Sequence, residues 1–150
     1  MKPVSPLTTA FSIIVVMSLL CFTAAGAQEL QTIALPAPDM EGGMPLMKAL
    51  SLRSSSRSFS PEELPAQVLS DLLWAASGIN RPESGRRTSP TARNMQQIDI
   101  YVATARGLYI YQPKDHELIP VLTKDIRAVT GRQEFAALAP VNLVFVADYS

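Results

Sequence analysis

Cysteine is nearly missing from this sequence. Its one thiol, Cys21, can build neither an internal disulfide framework nor a cysteine-rich zinc site. Net charge is missing too: 13 Lys+Arg balance 13 Asp+Glu, so the chain lacks the positive field that non-specific nucleic-acid binding requires. Glycine (7) and proline (12) are too few and too dispersed for a fibrous or low-complexity protein. No apolar run reaches the roughly 20 residues that span a bilayer as a helix. With 47% of its 150 residues apolar, the chain suits one ordinary globular domain.

The longest apolar stretch, Phe11 to Phe22, follows Lys2 and precedes Ala25-Gly26-Ala27, whose small side chains fit a cleavage site. Residues 1–27 therefore read as a signal peptide, residues 28–43 as an extended leader or linker, and residues 44–150 as the folded domain. Leu20 before Cys21 disfavours lipoprotein processing, and no twin-arginine pair precedes the apolar run, which favours export of the unfolded chain. The expected location is periplasmic or secreted, with membrane contact only transiently through the signal peptide.

Periodicity then sorts the domain. Met44 to Leu52 suits a short helix. Val68, Leu69, Leu72, Leu73 and Ala76 recur at helical spacing, with Gln67, Ser70 and Asp71 opposite, Pro65 at the start and Gly78 at the end. Residues 80–97 break all periodicity and read as a loop entering a helix near Ala92. Ile98, Ile100, Val102 and Thr104 alternate with polar or small neighbours, as in a strand. Ala105-Arg106-Gly107 makes a hairpin loop into Leu108–Tyr111, and Leu118–Leu122 completes a meander. Tyr101, Tyr109 and Tyr111 are expected on one sheet face. Asp125–Val129 and Glu134–Leu138 are short helical candidates. Val141–Ala147 is almost continuously apolar, which predicts a strand covered on both faces, and the domain is expected to continue beyond Ser150.

Two segments combine guanidinium and hydroxyl groups, the set that grips a phosphate through charge-assisted hydrogen bonds. The first is Arg53-Ser54-Ser55-Ser56-Arg57-Ser58-Phe59, and the second is Arg86-Arg87-Thr88-Ser89-Pro90-Thr91-Ala92-Arg93-Asn94. Neither has the glycines of a Walker loop or a dinucleotide fingerprint. By spacing alone, a pair of solvated basic loops is somewhat the commoner outcome. His116 falls in a turn, where a lone histidine is usually solvated, and it is given no ligand role. No metal site and no carboxylate pair for acid–base work is expected, and Trp74 reads as core at the edge of the apolar helix face.

The ordered motifs R-x-S-x-R-x-F at 53–59, D-L-L-W-A-A-S-G at 71–78 and P-T-A-R-N at 90–94 resemble the FMN-dependent nitroreductase family. The likeness is strongest to the branch that includes the SagB-type oxidases of peptide cyclisation. It implies an α+β fold with a central, mainly antiparallel sheet flanked by helices, truncated here at the C-terminus. It also implies FMN as cofactor, NAD(P)H as a candidate electron donor, a small-molecule substrate and a homodimer whose partner closes each site. By resemblance, Arg53 meets the FMN phosphate with Ser55 beside it, and Arg57 approaches the ribityl chain and the N1/O2 edge of the ring. Pro90, Thr91 and Ala92 lie along the isoalloxazine, and Asn94 hydrogen-bonds its polar edge. Ser54 stands where many members carry a second basic residue, for which Arg87 is the candidate substitute. No side chain is assigned a catalytic role, because the chemistry belongs to the flavin.

The leading expectation is thus an exported FMN-dependent oxidoreductase that passes hydride or electrons through flavin N5 in a ping-pong cycle. A non-catalytic flavin or nucleotide-binding module of the same fold is the alternative, and a plain secreted scaffold the third.

Overall fold

The computed structural model describes residues 30–149. The expected signal peptide, with Cys21, lies outside them. The described residues form a five-stranded sheet and a separate two-stranded hairpin, with two helices and three short 3-10 turns between them. In chain order these are β1 (Ile33–Ala34), α1 (Leu46–Leu52), α2 (Ala66–Ser77), β2 (Ile79–Arg81), β3 (Arg86–Arg87), β4 (Ile98–Thr104), β5 (Leu108–Gln112), β6 (Glu117–Leu122) and β7 (Val141–Ala147). The 3-10 turns are Ala92–Asn94, Arg127–Val129 and Glu134–Ala137.

The large sheet runs β1-β6-β5-β4-β7 and every pairing in it is antiparallel. The meander β4-β5-β6 is the one that alternation and turn chemistry predict. At its first corner only glycine fits, because a Cβ on Gly107 would collide with the Leu122 carbonyl and with the Leu30 side chain. Register sets the core face: Val102 stands opposite both Tyr109 and Leu143, and Tyr111 opposite Leu118. Val102, Tyr109, Tyr111 and Leu118, with Ile100 and Leu73 of α2, form the buried core, and the half-buried Leu143 packs against it. Tyr101 pairs with Ile110 and faces the other way, so the three tyrosines do not share a face as expected; period two puts an odd offset on opposite sides.

β7 also departs from expectation. It pairs with β4 alone and forms a sheet edge among the described residues, with Phe145 58% exposed. Continuous apolarity fits cover on both faces, but it does not report a second strand neighbour.

Helix α2 keeps its predicted span, with Pro65 as N-cap, one residue before its expected place. Gly78 closes it because a Cβ there would strike the Trp74 ring and carbonyl. The inward face differs from the apolar stripe. Ser70, Leu73 and Ser77 are buried while Val68 and Leu72 are exposed. The reason is the leader. It is extended as expected, yet it is docked: Ser70 Oγ donates to the Pro36 carbonyl at 2.6 Å and Gln67 Nε2 donates to the Ala37 carbonyl at 2.8 Å. Asp71 Oδ1 accepts from the Asp39 amide at 2.8 Å. The polar stripe of α2 is therefore a binding face for the chain's own strap, which ends in β1 against β6.

Residues 80–97 hold more order than a loop. β2 and β3 pair, and Thr88 N reaches back to the Gly78 carbonyl at 2.8 Å.

Candidate functional site

The first basic cluster starts where α1 stops. Arg53 is the C-cap of that helix, with φ −59° and ψ 122°, and residues 53–59 run on without helix or strand, all of them exposed. The serines here compete for backbone hydrogen bonds and so do not continue a helix. Ser56 Oγ meets the Ser58 carbonyl at 3.1 Å. The Arg53 guanidinium and the Ser55 hydroxyl have no partner among the described residues. The Arg57 guanidinium lies 5.7 Å from the Phe135 ring centroid, and Phe59 packs 6.5 Å from the same ring. A cation over an aromatic face is oriented without being neutralised, which leaves its N–H groups free for an anion. Phe59 and Phe135 also line a hollow of about 320 Å³ with Thr130 and the β7 residues Val141, Asn142, Leu143 and Val144.

The second cluster is a tight turn pinned by its own side chains. Arg93, Asn94 and Gln96 all have positive φ, at 51°, 58° and 53°. Each such non-glycine residue costs about 1–2 kcal/mol of backbone strain, so something must hold them. Thr91 Oγ1 accepts from the Gln96 amide at 2.9 Å, and Gln96 Nε2 donates to the Gly85 carbonyl at 3.0 Å and to Asn94 Oδ1 at 3.1 Å. Pro90, Ala92 and Asn94 are exposed and Thr91 is half-buried. Strain in a solvent-facing loop is kept where its geometry serves a purpose.

Arg87 does not substitute for the basic residue missing at Ser54. Its Nη1 bridges Ser77 Oγ and the Ile98 carbonyl, both at 3.2 Å, so it braces α2 to the start of β4. Its Nε is buried with no hydrogen-bond partner among the described residues.

Within one chain Arg57 and Phe59 sit beside the Val141–Val144 part of β7, through Phe135. The 90–94 turn sits at the other end, where Ile98 pairs with Ala147 and the Asp148 amide donates to the Gln97 carbonyl at 2.8 Å. Between Asn142 or Leu143 and Ala147 the strand rises roughly 14–17 Å.

His116 was expected in solvent and is instead half-buried. Its Nε2 lies 2.7 Å from Ser70 Oγ and its Nδ1 2.9 Å from the Tyr111 hydroxyl. Desolvation holds its pKa below the ordinary imidazole value, against the pull of the Pro36 carbonyl and the Asp71 charge. Burial pushes Tyr111 up to about 12, with the positive charge of Arg87 opposing it. Sequence reasoning missed this seam. The signal it lacked was Ser70 on the polar side of α2, whose partners are 34 and 46 residues away.

A further cavity of about 520 Å³ lies between the strap, the approach to α2 and the β4–β5 turn. Leu35, Leu69, Tyr109 and Leu118 line it, and the exposed Glu63–Arg106 pair, at 2.8 Å, stands among its lining. None of the residues expected to bind cofactor lines this cavity. Among the described residues no cluster of His, Cys, Asp or Glu could hold a metal ion, and no helix is long and apolar enough to cross a membrane.

Residues 50–150 match the profile of the Nitroreductase family. Among solved structures, a candidate nitroreductase from Ralstonia eutropha JMP134 is 48% identical, with a TM-score of 0.73 over 79% of this chain and 56% of that one. A candidate nitroreductase from Anabaena variabilis ATCC 29413 shares 22% identity, with a TM-score of 0.60 over 78% of this chain and 27% of that one, a likeness of fold. The chain thus spans just over half of the first protein and about a quarter of the second. No protein of curated function matches it.

Proposed function

The chain belongs to the nitroreductase family, and from that premise we propose that it is an exported, FMN-dependent oxidoreductase in which two copies complete each flavin site. Flavin-dependent oxidoreduction is the family's chemistry. The observation that carries the assignment to FMN is the Arg53 guanidinium and the Ser55 hydroxyl, both without a partner among the described residues, followed by Arg57 over Phe135. Cationic forks and hydroxyls without partners suit a phosphate monoester.

In this reading Arg53 and Ser55 hold the phosphate. Arg57 stands near the N1/O2 edge, where a cation stabilises the negative charge gained on reduction. Pro90, Thr91 and Ala92 border the ring and Asn94 meets its polar edge. When bound, FMN supplies hydride and electron transfer at N5, alternating between a donor and a small organic substrate. NAD(P)H is the family's natural donor to try first, although an exported enzyme meets little of it. In that compartment the electrons come from another reductant or from oxidation of the substrate itself.

Two observations support pairing of copies. Arg57 and the 90–94 turn lie toward opposite ends of β7 in one chain. Helix α1 carries Leu46, Met47, Leu50 and Leu52 at exposures of 71%, 76%, 56% and 62%, with no buried residue. A seven-residue helix with that surface is unstable without a partner to cover it.

The full-length purified protein should be yellow and release FMN on denaturation. Turnover with NAD(P)H and a quinone or nitroaromatic acceptor identifies an enzyme; bound FMN without turnover leaves a flavin-binding module. A colourless protein that refuses added FMN overturns the proposal.

A further inference from the structure

The turn at residues 91–96 decides which way the Asn94 amide points. The Gly85 carbonyl can only accept, so the Gln96 side-chain atom 3.0 Å from it must be the NH₂ group. That same nitrogen lies 3.1 Å from the Asn94 side chain, which must therefore present Oδ1 to it. Both protons of Asn94 Nδ2 are left outward, without a partner among the described residues, on an exposed side chain. The backbone amide of Gln96 is tied to Thr91 Oγ1 at 2.9 Å, which holds the relay while Arg93, Asn94 and Gln96 keep positive φ.

We propose that Gln96 is a positioning residue that fixes Asn94 as a two-proton donor, so that the ligand edge meeting Asn94 is an acceptor. Resting on the flavin reading above, this makes the partner a ring carbonyl of the isoalloxazine rather than its N–H. An amide alone could serve either. The Gly85–Gln96–Asn94 relay removes the choice, because reversing Asn94 would set its NH₂ against the NH₂ of Gln96.

The consequence is electronic. A donor aimed at a ring carbonyl meets more negative charge in reduced than in oxidised flavin, so it binds the reduced form more tightly and raises the reduction potential. In Gln96→Glu the carboxylate offers no proton. Asn94 then turns its NH₂ inward and its oxygen towards the ring carbonyl.

The test measures binding of oxidised and of reduced FMN to the full-length apoprotein, with the two-electron potential as an independent reading. In Gln96→Glu the preference for the reduced form should fall about tenfold, which is about 30 mV for a two-electron couple. General loosening of the loop would weaken both forms alike and leave their ratio unchanged. Should Gln96→Glu fail to fold or to hold FMN, Asn94→Asp decides with Gln96 intact. Its side chain is exposed, aspartate tolerates positive φ, and an outward carboxylate oxygen should shift the ratio in the same direction. An unchanged ratio in the variant that decides overturns the relay while leaving the flavin reading standing. A wild-type protein that binds no FMN sinks the flavin reading and the relay with it.

Discussion

Ser70 Oγ lies 2.7 Å from His116 Nε2 and 2.6 Å from the Pro36 carbonyl, so one hydroxyl joins the strap, helix α2 and the turn between β5 and β6. Its single proton goes to Pro36, which accepts only. His116 must then donate from Nε2, and its Nδ1 accepts from the Tyr111 hydroxyl at 2.9 Å. The chain of bonds is complete with neutral imidazole as the Nε2–H tautomer. It ties a residue of the core, Tyr111, to the backbone of the strap.

Ser70→Ala should therefore destabilise the protein by about 1–3 kcal/mol, because it leaves the Pro36 carbonyl and the His116 N–H without their partner in a buried seam. The urea-unfolding midpoint should fall with an unchanged slope. A variant within about 0.5 kcal/mol of wild type would mean that solvent reaches the seam.

The seam also makes stability depend on pH in a stated direction. The folded-state pKa of His116 is lowered by burial, so in the window below about 6.5 the unfolded chain binds the proton first. Stability is full above that window and falls as pH drops through it, until the folded imidazole is protonated as well. Asp71 and Arg87 both act on this seam, and neither changes the sign. His116→Gln keeps a donor for Ser70 and an acceptor for Tyr111 but cannot titrate. Its unfolding midpoint should be flat where that of wild type slopes.

How far the sequence could be read follows from how local each signal is. The β4–β5–β6 meander and α2 were legible because alternation, helical spacing and a glycine corner act within a few residues. The strap was not, since its partners Gln67, Ser70 and Asp71 look like an ordinary solvated stripe until residues 36–39 are laid on them. The single histidine was misread for the same reason: a turn position predicts solvent, and only tertiary contact brings Ser70 over it. Of the candidate site, each cluster was legible by composition. The placement of Arg57 and of the 90–94 turn toward opposite ends of β7 was not, because β7 pairs with β4 across 37 to 49 residues of chain.

Alkaline titration gives an independent check on the seam. Tyr111 is pushed up to about 12, whereas a solvated phenol ionises near 10. The folded state holds its proton longer than the unfolded chain does, so stability is present below about 10 and is lost as pH rises towards 12. Near-ultraviolet absorbance should show a phenol titrating late, near 12. Tyr111→Phe should remove that step.

Phosphate recognition predicts an ordered loss of affinity. Each charge-assisted hydrogen bond contributes about 1.5–3 kcal/mol, so Arg53→Ala should weaken FMN binding about 10- to 100-fold, read by fluorescence titration of the apoprotein. Riboflavin, which lacks the phosphate, should bind wild type and Arg53→Ala alike. Arg57→Ala should instead disfavour reduced FMN, because the proposed reading sets its charge near the N1/O2 edge of the ring. If riboflavin loses as much as FMN in Arg53→Ala, the arginine holds the fold and not the phosphate.

If two copies complete each flavin site, helix α1 should link oligomeric state to cofactor retention. Leu46, Met47 and Leu50 share one face at the spacing of neighbouring turns, and all three are more than half exposed. Arg53 caps the same helix, so whatever covers that face also fixes the approach of the first guanidinium. The double variant Met47→Asp, Leu50→Asp places two charges in any contact made there. Wild type should sediment as a dimer and the double variant as a monomer, which should lose FMN on dilution in parallel. Since α1 contributes no buried residue to the core of the chain, the variant's circular dichroism should remain that of the folded protein. A double variant that stays dimeric and yellow would place the partner surface elsewhere and leave the exposure of α1 without this explanation.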